Sequence, residues 1–383
     1  MGNGSGTMAA LGVTSSVGGR LPDPAFWAGR RVLLTGHTGF KGSWLARWLH
    51  VLGAEVHGLA LDPPTVPSLF DVANVGGVLA SDRRVDLRET DAVRGCVEMV
   101  RPEVVLHLAA QPLVREGYRD PASTFSTNVA GAANLLAAVR EAVPPGVVRV
   151  VVVVTSDKVY RPSGPMEGGG VFVEGDALGG HDPYSASKAM VEELVAVFGR
   201  LPAIDAQPAW SVPVASARAG NVIGGGDWGV DRLVPDCIRA FRSGEEVVLR
   251  YPNAVRPWQH VLDPLAGYLV LAEALASPSG APAAVNFGPD LTEGSLTVRE
   301  VARTVARLWG ADDGAVVEEP DAMVPETGEL RIDSGLAQAT LGWRPGWSAD
   351  EALARTVAWY RAHADGLRMD EVTDGQIREY SDA

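Results

Sequence analysis

The chain contains very little lysine and very little cysteine. Of its 33 basic residues only Lys41, Lys158 and Lys188 are lysines, and all the others are arginines. Cys96 and Cys237 are the only cysteines, too few for a disulfide framework or a structural zinc site. Few cysteines are typical of a reducing compartment, so we expect a cytoplasmic protein without a metal site.

Long apolar runs and basic clusters are also missing. The longest apolar run, 147–154, is interrupted by Arg149 and is far too short to cross a bilayer. Residues 1–24 are rich in Gly and Ser and lack a basic segment ahead of an apolar core, so we expect a mobile tail rather than a signal peptide, with the start at Met1 or Met8. The net charge of −14 disfavours binding to nucleic acid or to an anionic membrane.

The sequence does contain a regular alternation of apolar strands and helical segments. Strands are expected at 30–36, 54–62, 103–110, 147–157 and 212–220, and helices at 40–53, 91–100, 123–142 and 184–199. Such an alternation predicts an α/β fold, a doubly wound parallel sheet of Rossmann type with a smaller C-terminal lobe that binds substrate. We expect the Rossmann domain at 25–217 and the lobe at 218–383, with a helix near 263–276 returning to the first domain.

The loop between the first strand and the first helix carries Gly36, Gly39 and Gly42 at GxxGxxG spacing. The first glycine allows a tight turn, the second lets the backbone approach a pyrophosphate, and the third lets the helix pack on the sheet. The free N–H groups at the helix N-terminus favour the negative charge of the pyrophosphate. The spacing therefore predicts a dinucleotide-binding loop, with a tight turn and packing glycines as the alternative.

Acidic residues follow the next two expected strands. Asp62 can accept both hydroxyl groups of an adenosine ribose and would repel a 2′-phosphate, so the sequence favours NAD over NADP. Asp86 and Leu87 are expected near the adenine ring. The alternative for Asp86 is a turn or helix-capping residue.

Candidate catalytic residues occur at the end of one strand and the start of one helix. Tyr184 and Lys188 lie four residues apart, so they share one helical face. A lysine ammonium beside a phenol favours the phenolate, and it can also hold the nicotinamide ribose, so Tyr184 is a candidate base. Ser156, Asp157 and Lys158 end the long apolar strand at the sheet edge where ligands bind. Ser156 can hydrogen-bond a sugar hydroxyl, and Asp157 and Lys158 are a candidate acid and base or, alternatively, a salt-bridged strand end.

These motifs resemble the extended short-chain dehydrogenase/reductase superfamily, and most closely its CDP-glucose 4,6-dehydratases. The matching stretches run from about residue 27 to about residue 360 and include GHTGFKGSWL (36–45), TSDKVY (155–160), GGHDPYSASK (179–188), RAGNVIGGGDW (218–228) and RPWQHVLDPL (256–265). The TSDK stretch carries most of the specificity, because related dehydratases have a Thr-Asp-Glu version of it and 4-epimerases lack the acid–base pair.

The resemblance implies further binding residues, one NAD per active site, and assembly into a dimer or tetramer. The residues that it adds to the NAD site are Thr38, Phe40, Lys41, Leu108, Ala109, Ala110, Gln111 and Asn128, together with the catalytic Tyr184 and Lys188. The residues expected to contact the nucleoside diphosphate sugar are Asn221, Arg232, Arg256 and His260. A structural or surface role stays open for the two arginines, helix capping for His260, and several roles for Lys41.

The resemblance also implies a mechanism in which NAD is reduced and reoxidised within one turnover. Tyr184 would take the proton of the sugar C4 hydroxyl while hydride passes from C4 to NAD. The resulting ketone acidifies the C5 proton, which a neutral Lys158 would remove, and Asp157 would protonate the leaving C6 hydroxyl. Return of hydride to C6 leaves a 4-keto-6-deoxy sugar.

The segment 161–178 departs from this resemblance. Arg161-Pro162 and a Gly-rich stretch replace the usual pattern, and only Glu174 is clearly alike. The exact nucleotide and sugar therefore stay open, and a dehydratase or 4-epimerase for another nucleoside diphosphate sugar is an alternative. A non-catalytic NAD-sensing protein is a further alternative, which the intact Ser, Tyr and Lys set disfavours.

Overall fold

The computed structural model describes residues 19–142, 147–161, 170–202, 210, 212–291, 295–319 and 331–382. The strands are β1 Arg31–Thr35, β2 Glu55–Ala60, β3 Ser81–Arg84, β4 Val104–His107, β5 Val150–Val154, β6 Val171–Phe172, β7 Val214–Ala219, β8 Val222–Ile223, β9 Val247–Leu249, β10 Val255–Pro257, β11 Gln259–His260, β12 Ala284–Phe287, β13 Ser295–Thr297, β14 Val316–Glu318 and β15 Arg331–Ile332.

The helices alternate with these strands through the first part of the chain. They are α1 Pro24–Trp27, α2 Phe40–Val51, α3 Leu69–Val72, α4 Thr90–Val100, α5 Val114–Arg119, α6 Pro121–Phe125, α7 Gly131–Ala142, α8 Pro183–Phe198, α9 Leu233–Ser243, α10 Leu262–Ala276, α11 Val298–Trp309, α12 Gly335–Leu341, α13 Ala349–Ala364 and α14 Met369–Ser381. A π-helical turn, Ser126–Ala130, joins α6 to α7, and a 3₁₀ turn, Asp157–Val159, follows β5. Within the described residues, no helix has the length and apolar character needed to cross a membrane.

Seven strands form one parallel sheet in the order β12-β7-β5-β4-β1-β2-β3. From β1 the chain adds β2 and β3 on one side, and it then adds β4, β5, β7 and β12 on the other. The order of the strands therefore reverses between β1 and β4, which confirms the predicted doubly wound sheet. Ligands of such sheets bind at the carboxyl ends of the strands beside this reversal.

Apolar side chains cover both faces of the sheet. All five valines of β5 are buried, as the uninterrupted apolar run predicts for a central parallel strand. On one face the strands pack against α2 and α10, with Trp44, Trp48 and Leu269 fully buried. On the other face they pack against α4, α7 and α8. The two helical layers hold the carboxyl ends of β1, β4 and β5 in fixed positions, which is where the site is built.

The sheet also takes in residues from the second half of the chain. The boundary expected between 217 and 218 falls inside β7, and the edge strand β12 comes from the segment expected to form the lobe. The helix expected near 263–276 is α10, which contacts β5, β7 and β12. The strand β12 has only four residues and follows a loop rich in Pro and Ser, so its pattern is too short to be distinctive.

The structure corrects the predicted tail at its C-terminal end. Residues 1–18 lie outside the described residues, but Arg20 and Asp23 are bound to the fold. The Arg20 guanidinium donates to Glu273 at 2.8 Å, and the Asp23 amide donates to the same carboxylate at 2.7 Å. Glu273 lies on the buried helix α10, and its charge requires hydrogen-bonding partners there. These bonds hold residues 20–24 on the fold, together with the Asp23 carboxylate, which caps α1 by accepting from the Ala25 amide at 2.9 Å.

A buried ion pair fastens the last helix to the helix of the glycine loop. Arg47 on α2 donates to both carboxylate oxygens of Asp374 on α14, at 2.8 and 2.5 Å. Both residues are at most 9% exposed. We expect Asp374→Ala to lower the free energy of unfolding by about 3 kcal/mol, because it leaves the Arg47 charge buried without its partner.

Glu379→Ala is the matched control for this prediction. Glu379 lies on the same helix, and its pair with Arg355, at 2.6 Å, is partly exposed to solvent. Its loss is expected to cost less than about 1 kcal/mol. Urea denaturation followed by circular dichroism measures both variants, and equal effects of the two substitutions would contradict the argument.

Candidate active site

The glycine loop folds tightly against the chain that follows β4. Gly36 has a φ of +75°, and a Cβ there would lie 2.7 Å from the amide nitrogen of Ala109. A Cβ at Gly42 would lie 2.0 Å from the Gly36 carbonyl oxygen, because the first turn of α2 closes onto the loop. A Cβ at Gly39 would meet only that oxygen, at 3.4 Å. The middle glycine therefore leaves its outer side open, as close approach of a ligand requires.

The first turn of α2 offers its amides to this open side. Gly39 is the N-cap of the helix and provides no side-chain cap. The Thr38 hydroxyl donates to the Leu61 carbonyl at 2.9 Å, which holds the loop beside the end of β2. A pyrophosphate would be held by the helix N-terminal amides and the positive end of the helix dipole. The loop therefore fits a dinucleotide, with no side chain in the way.

Two glycine variants separate the packing of this loop from its binding role. We expect Gly42→Ala to lower the free energy of unfolding by about 3 kcal/mol, since the Cβ would collide with backbone that cannot move away. Gly39→Ala is expected to cost less than about 1 kcal/mol but to weaken NAD binding by about tenfold or more. Thermal unfolding with and without NAD measures both effects. Unchanged NAD affinity in Gly39→Ala would contradict the role of the loop.

The acidic residues after β2 and β3 differ in whether their carboxylates are open to a ligand. Asp62 is largely exposed, and its carboxylate lies 3.8 Å from the Arg84 guanidinium. Asp86 instead accepts hydrogen bonds from the Arg88 side chain at 3.0 Å and the Arg88 amide at 2.9 Å, and these bonds lower the pKa of Asp86. Leu87 is buried against Gly131. Asp62 is thus open to a ribose, whereas the structure favours the turn role that was left open for Asp86.

The segment Leu108–Gln111 after β4 lies beside the glycine loop and is fixed by Asn128. The Asn128 side chain accepts from the Gln111 amide at 2.7 Å, and it donates to the Gln111 carbonyl at 3.1 Å and to Ser187 at 2.8 Å. These bonds occupy both ends of the buried amide group. Asn128 therefore joins this segment to α8, and its contact with NAD stays a prediction.

The residues Ser156, Asp157 and Lys158 lie in a tight turn at the end of β5. The Ser156 hydroxyl donates to the Asp157 carboxylate at 3.0 Å and accepts from the Lys158 amide at 3.2 Å. Asp157 is only 3% exposed, and burial raises its pKa against the opposing charges of Lys158, Lys41 and Arg256. A carboxyl group with a raised pKa is suited to donate a proton at neutral pH.

Tyr184 and Lys188 lie on the first two turns of α8, beside this turn. The Lys188 ammonium donates to the Val154 carbonyl at 3.0 Å, and burial lowers its pKa to about 8. Burial raises the pKa of Tyr184 to about 12, although a hydrogen bond with Ser156 acts in the opposite direction. Lys188 is not among the groups that act on the pKa of Tyr184, so the expected lowering by its ammonium is not seen.

Lys41 reaches the catalytic residues from the first turn of α2. Its ammonium donates to the Tyr268 hydroxyl at 3.3 Å. Burial lowers the pKa of Lys41 to about 8, the Asp157 carboxylate opposes this shift, and the Lys188 charge adds to it. The position of Lys41, which the sequence left open, is thus between the glycine loop and Asp157. Sequence reasoning missed Tyr268 because it lies in a mostly apolar stretch of α10.

Three of the four predicted substrate residues lie near these groups. Arg232 donates to Asp227 at 2.7 Å, and its charge acts on Tyr184. Arg256 is buried on β10, and its charge acts on Asp157. Asn221 follows Gly220, at which a Cβ would lie 2.8 Å from the Asp157 carboxylate.

The structure corrects the prediction for His260. This residue is fully buried, and its ring lies between those of Trp44 and Trp347, with centroid distances of 5.9 and 4.7 Å. Burial lowers its pKa to about 3, so the ring is neutral. His260 therefore belongs to the core, and its Nδ1 accepts from the Leu262 amide at 3.3 Å at the start of α10, as the helix-capping alternative predicts.

Residues 32–288 match the model of the NAD dependent epimerase/dehydratase family. This match covers more than half of the chain. The chain belongs to this family. The predicted resemblance and the predicted cofactor, NAD, are thereby confirmed, and the open glycine loop is the part of the structure that fits NAD.

Individual members of the family are similar over nearly the whole chain. A CDP-glucose 4,6-dehydratase from Salmonella typhimurium is 42% identical over 94% of this chain and 99% of its own length. A dTDP-glucose 4,6-dehydratase from Streptomyces griseus is 31% identical over 87% of this chain and 94% of its own. The crystal structure of a dTDP-glucose 4,6-dehydratase from Streptomyces venezuelae, with NAD and TYD bound, is 26% identical with a TM-score of 0.72, and covers 89% of this chain and 99% of its own.

Proposed function

We propose that this protein catalyses the NAD-dependent 4,6-dehydration of a nucleoside diphosphate hexose, CDP-glucose, to CDP-4-keto-6-deoxyglucose. The observation that carries the proposal is the turn after β5, which places the buried Asp157 next to Lys158 and beside Tyr184. Oxidation at C4 alone needs only the tyrosine and NAD, so an additional acid and base indicate elimination of water. The 42% identity to a CDP-glucose 4,6-dehydratase supports the choice of substrate.

The first step is removal of the C4 hydroxyl proton by Tyr184. A phenol with a pKa of about 12 accepts this proton only when positive charge and hydrogen bonds stabilise the phenolate. Arg232 and the Ser156 hydroxyl provide this stabilisation. NAD, when bound, accepts hydride from C4 and later returns it to C6.

The second step is elimination of water across C5 and C6. The C4 ketone acidifies the C5 proton, which neutral Lys158 removes, while Asp157 donates its proton to the departing C6 hydroxyl. Burial raises the pKa of the Asp157 carboxyl, which favours its protonated form. Lys158 then returns a proton to C5 as hydride reaches C6. To complete the cycle, Tyr184 releases the proton that it took from the C4 hydroxyl, and Asp157 takes up a proton from solvent.

The charged part of the substrate is its nucleoside diphosphate. Arg232, Arg256 and Asn221 are proposed to bind the nucleoside diphosphate, with guanidinium groups facing the phosphates. We also propose that 25–217, together with α10 and β12, binds NAD, and that the remainder of 218–383 mainly binds the sugar nucleotide. Proximity of Arg232 to Tyr184 and of Arg256 to Asp157 supports this arrangement.

We also propose that the protein forms a homo-oligomer, either a dimer or a tetramer. The helical turn Ser126–Ala130, α7 and α8 together present an apolar depression lined by Phe125, Val129, Ala130, Ala133 and Met190. Met190 is half exposed there.

Both cysteines are buried and unpaired, which supports the cytoplasmic location that the sequence predicts.

Mass spectrometry of the purified protein incubated with NAD and CDP-glucose tests the proposed reaction. Loss of one water from CDP-glucose is the expected result. Water loss only from dTDP-, UDP- or GDP-glucose would support the dehydration but overturn the assignment of CDP-glucose as the substrate. An epimerase would change the sugar without changing its mass. Absence of turnover with every sugar nucleotide, while NAD still binds, would overturn the enzyme proposal.

A further inference from the structure

A buried ion pair lies directly behind the proposed catalytic residues. Arg218 on β7 donates to the Glu192 carboxylate on α8 at 2.7 Å, and neither side chain is more than 4% exposed. Ser216 donates to the same carboxylate oxygen at 2.6 Å, and the Thr155 hydroxyl donates to the other. Both oxygens of Glu192 are therefore hydrogen-bonded, as a carboxylate in the core requires.

The Glu192 carboxylate contacts both segments that carry the proposed catalytic groups. Thr155 immediately precedes Ser156 in the turn after β5. Lys188 lies one helical turn before Glu192 on α8, and Tyr184 lies one turn before Lys188, so the three side chains share one face. One side chain thus connects the strand end that bears the acid and base to the helix that bears the tyrosine.

Arg218 extends the connection to the segment on the other side of the turn. Its guanidinium donates to the Tyr160 hydroxyl at 2.8 Å and to the Glu174 carbonyl at 3.1 Å. Tyr160 in turn donates to the Asn286 side chain at 2.7 Å. Tyr160 follows Lys158 by two positions, so the ion pair also fixes the chain just after the proposed base.

Glu192 is the negative charge that faces the Lys188 ammonium. From the other elements packed around Lys188, the facing groups are Lys41 on α2 and His107 on β4. Lys41 is a cation, and burial lowers the pKa of His107 to about 3, so it is neutral. Glu192 opposes the effect of burial on the pKa of Lys188. Without this carboxylate the ammonium would have only repulsive or neutral neighbours.

The energetics argue against a purely stabilising role for the pair. A buried ion pair is commonly no more stable than apolar side chains of the same volume, and apart from Ser216 and Arg218 the strands β5 and β7 consist of valine and alanine. We propose that Glu192 is a positioning residue, which acts through Lys188 and Thr155 to hold the helix and the strand end that carry the proposed catalytic groups. The proposal rests on the proposed function for the role of Lys188.

The small number of lysines makes a direct test possible. Protein grown with ¹³C,¹⁵N-labelled lysine gives only three side-chain signals by NMR, and Lys41→Arg and Lys158→Arg variants assign them. In Glu192→Gln, which keeps the shape and the hydrogen-bonding capacity of the side chain, we expect the pKa of Lys188 to fall by about 1 pH unit or more. The Lys158 signal is expected to titrate as in the unaltered protein and reports that the site is still folded.

Glu193→Gln is the matched control, because Glu193 is the next residue on α8 and is exposed. It is expected to leave the Lys188 titration unchanged. An unchanged Lys188 titration in Glu192→Gln, or an equal shift in Glu193→Gln, would overturn the proposal. If Glu192→Gln does not fold, Arg218→Lys and Glu192→Asp take its place. Arg218→Lys keeps the Glu192 carboxylate and should leave the pKa of Lys188 unchanged. Glu192→Asp moves the carboxylate away from Lys188 and should lower the pKa of Lys188.

Turnover of CDP-glucose provides a second readout. Above its pKa the protonated fraction of Lys188 falls about tenfold per pH unit, so kcat of Glu192→Gln should fall by about tenfold at pH values well above neutral and be restored at lower pH, with KM nearly unchanged. A uniform loss at all pH values would indicate misfolding instead. The titration needs no substrate, so an inactive unaltered protein would overturn the proposed function without affecting the result for Glu192.

Discussion

Replacement of Lys158 by Met is expected to lower turnover of CDP-glucose by about 10²–10⁴-fold while NADH accumulates on the enzyme. The substitution removes the amine base but leaves Tyr184, Lys188 and the glycine loop in place, so the C4 oxidation still occurs. The C5 proton is then not removed, no double bond forms to accept hydride, and the reduced cofactor persists. NADH absorbance after mixing with substrate, together with product formation by mass spectrometry, measures the two steps separately.

Arg149→Met is the matched control for this variant. Arg149 precedes β5 at the opposite end of the strand from Lys158, and its side chain is half exposed. It is expected to keep normal turnover and to show no NADH accumulation. If Lys158→Met forms neither NADH nor product while NAD still binds, Lys158 is needed before the elimination and its assignment as the C5 base is wrong.

Tyr184→Phe is expected to reduce turnover by a similar factor, about 10²–10⁴-fold, but without any NADH. Loss of the phenol removes the group that accepts the C4 hydroxyl proton, so the reaction stops before hydride leaves the sugar. NAD binding should stay close to normal, because the loop Gly36–Gly42 and Asp62 are separate from the phenol. Stopped-flow absorbance and equilibrium NAD binding test these two expectations.

The exposed Tyr118 provides the control for loss of a phenol, and Tyr118→Phe should behave like the unaltered protein. NADH formation by Tyr184→Phe at the normal rate would show that another group takes the C4 proton. Taken with Lys158→Met, this variant places the two residues on opposite sides of hydride transfer, which no measurement of overall turnover can do.

Local patterns determined much of the fold and of the site. The alternation of apolar strands and helices predicted the doubly wound sheet, because strand burial and helical periodicity are properties of a few consecutive residues. The spacing of Gly36, Gly39 and Gly42 predicted the tight loop, and the positions of Tyr184 and Lys188 predicted a shared helical face. In each case the residues concerned are close in sequence, so backbone geometry alone relates them.

Other features of the site depend on residues distant in the chain. The sequence predicts a phosphate contact for His260, but packing between Trp44 and Trp347 places this residue in the core. The side-chain amide of Asn128, near the cofactor loop, is bonded to Gln111 and Ser187. Neither set of neighbours can be read from the sequence around the residue.

Composition and spacing along the chain specify the chemical groups: one glycine loop, one acid–base pair, one tyrosine–lysine pair and three lysines in all. Which of these groups share a charge environment depends on the fold. Folding brings Lys41 from α2 to Asp157, and it packs α8 on the sheet so that Glu192 pairs with Arg218 of β7. The physical reason is that burial and electrostatic interaction depend on distance in space, and these distances are set by how helices pack on the sheet rather than by spacing along the chain.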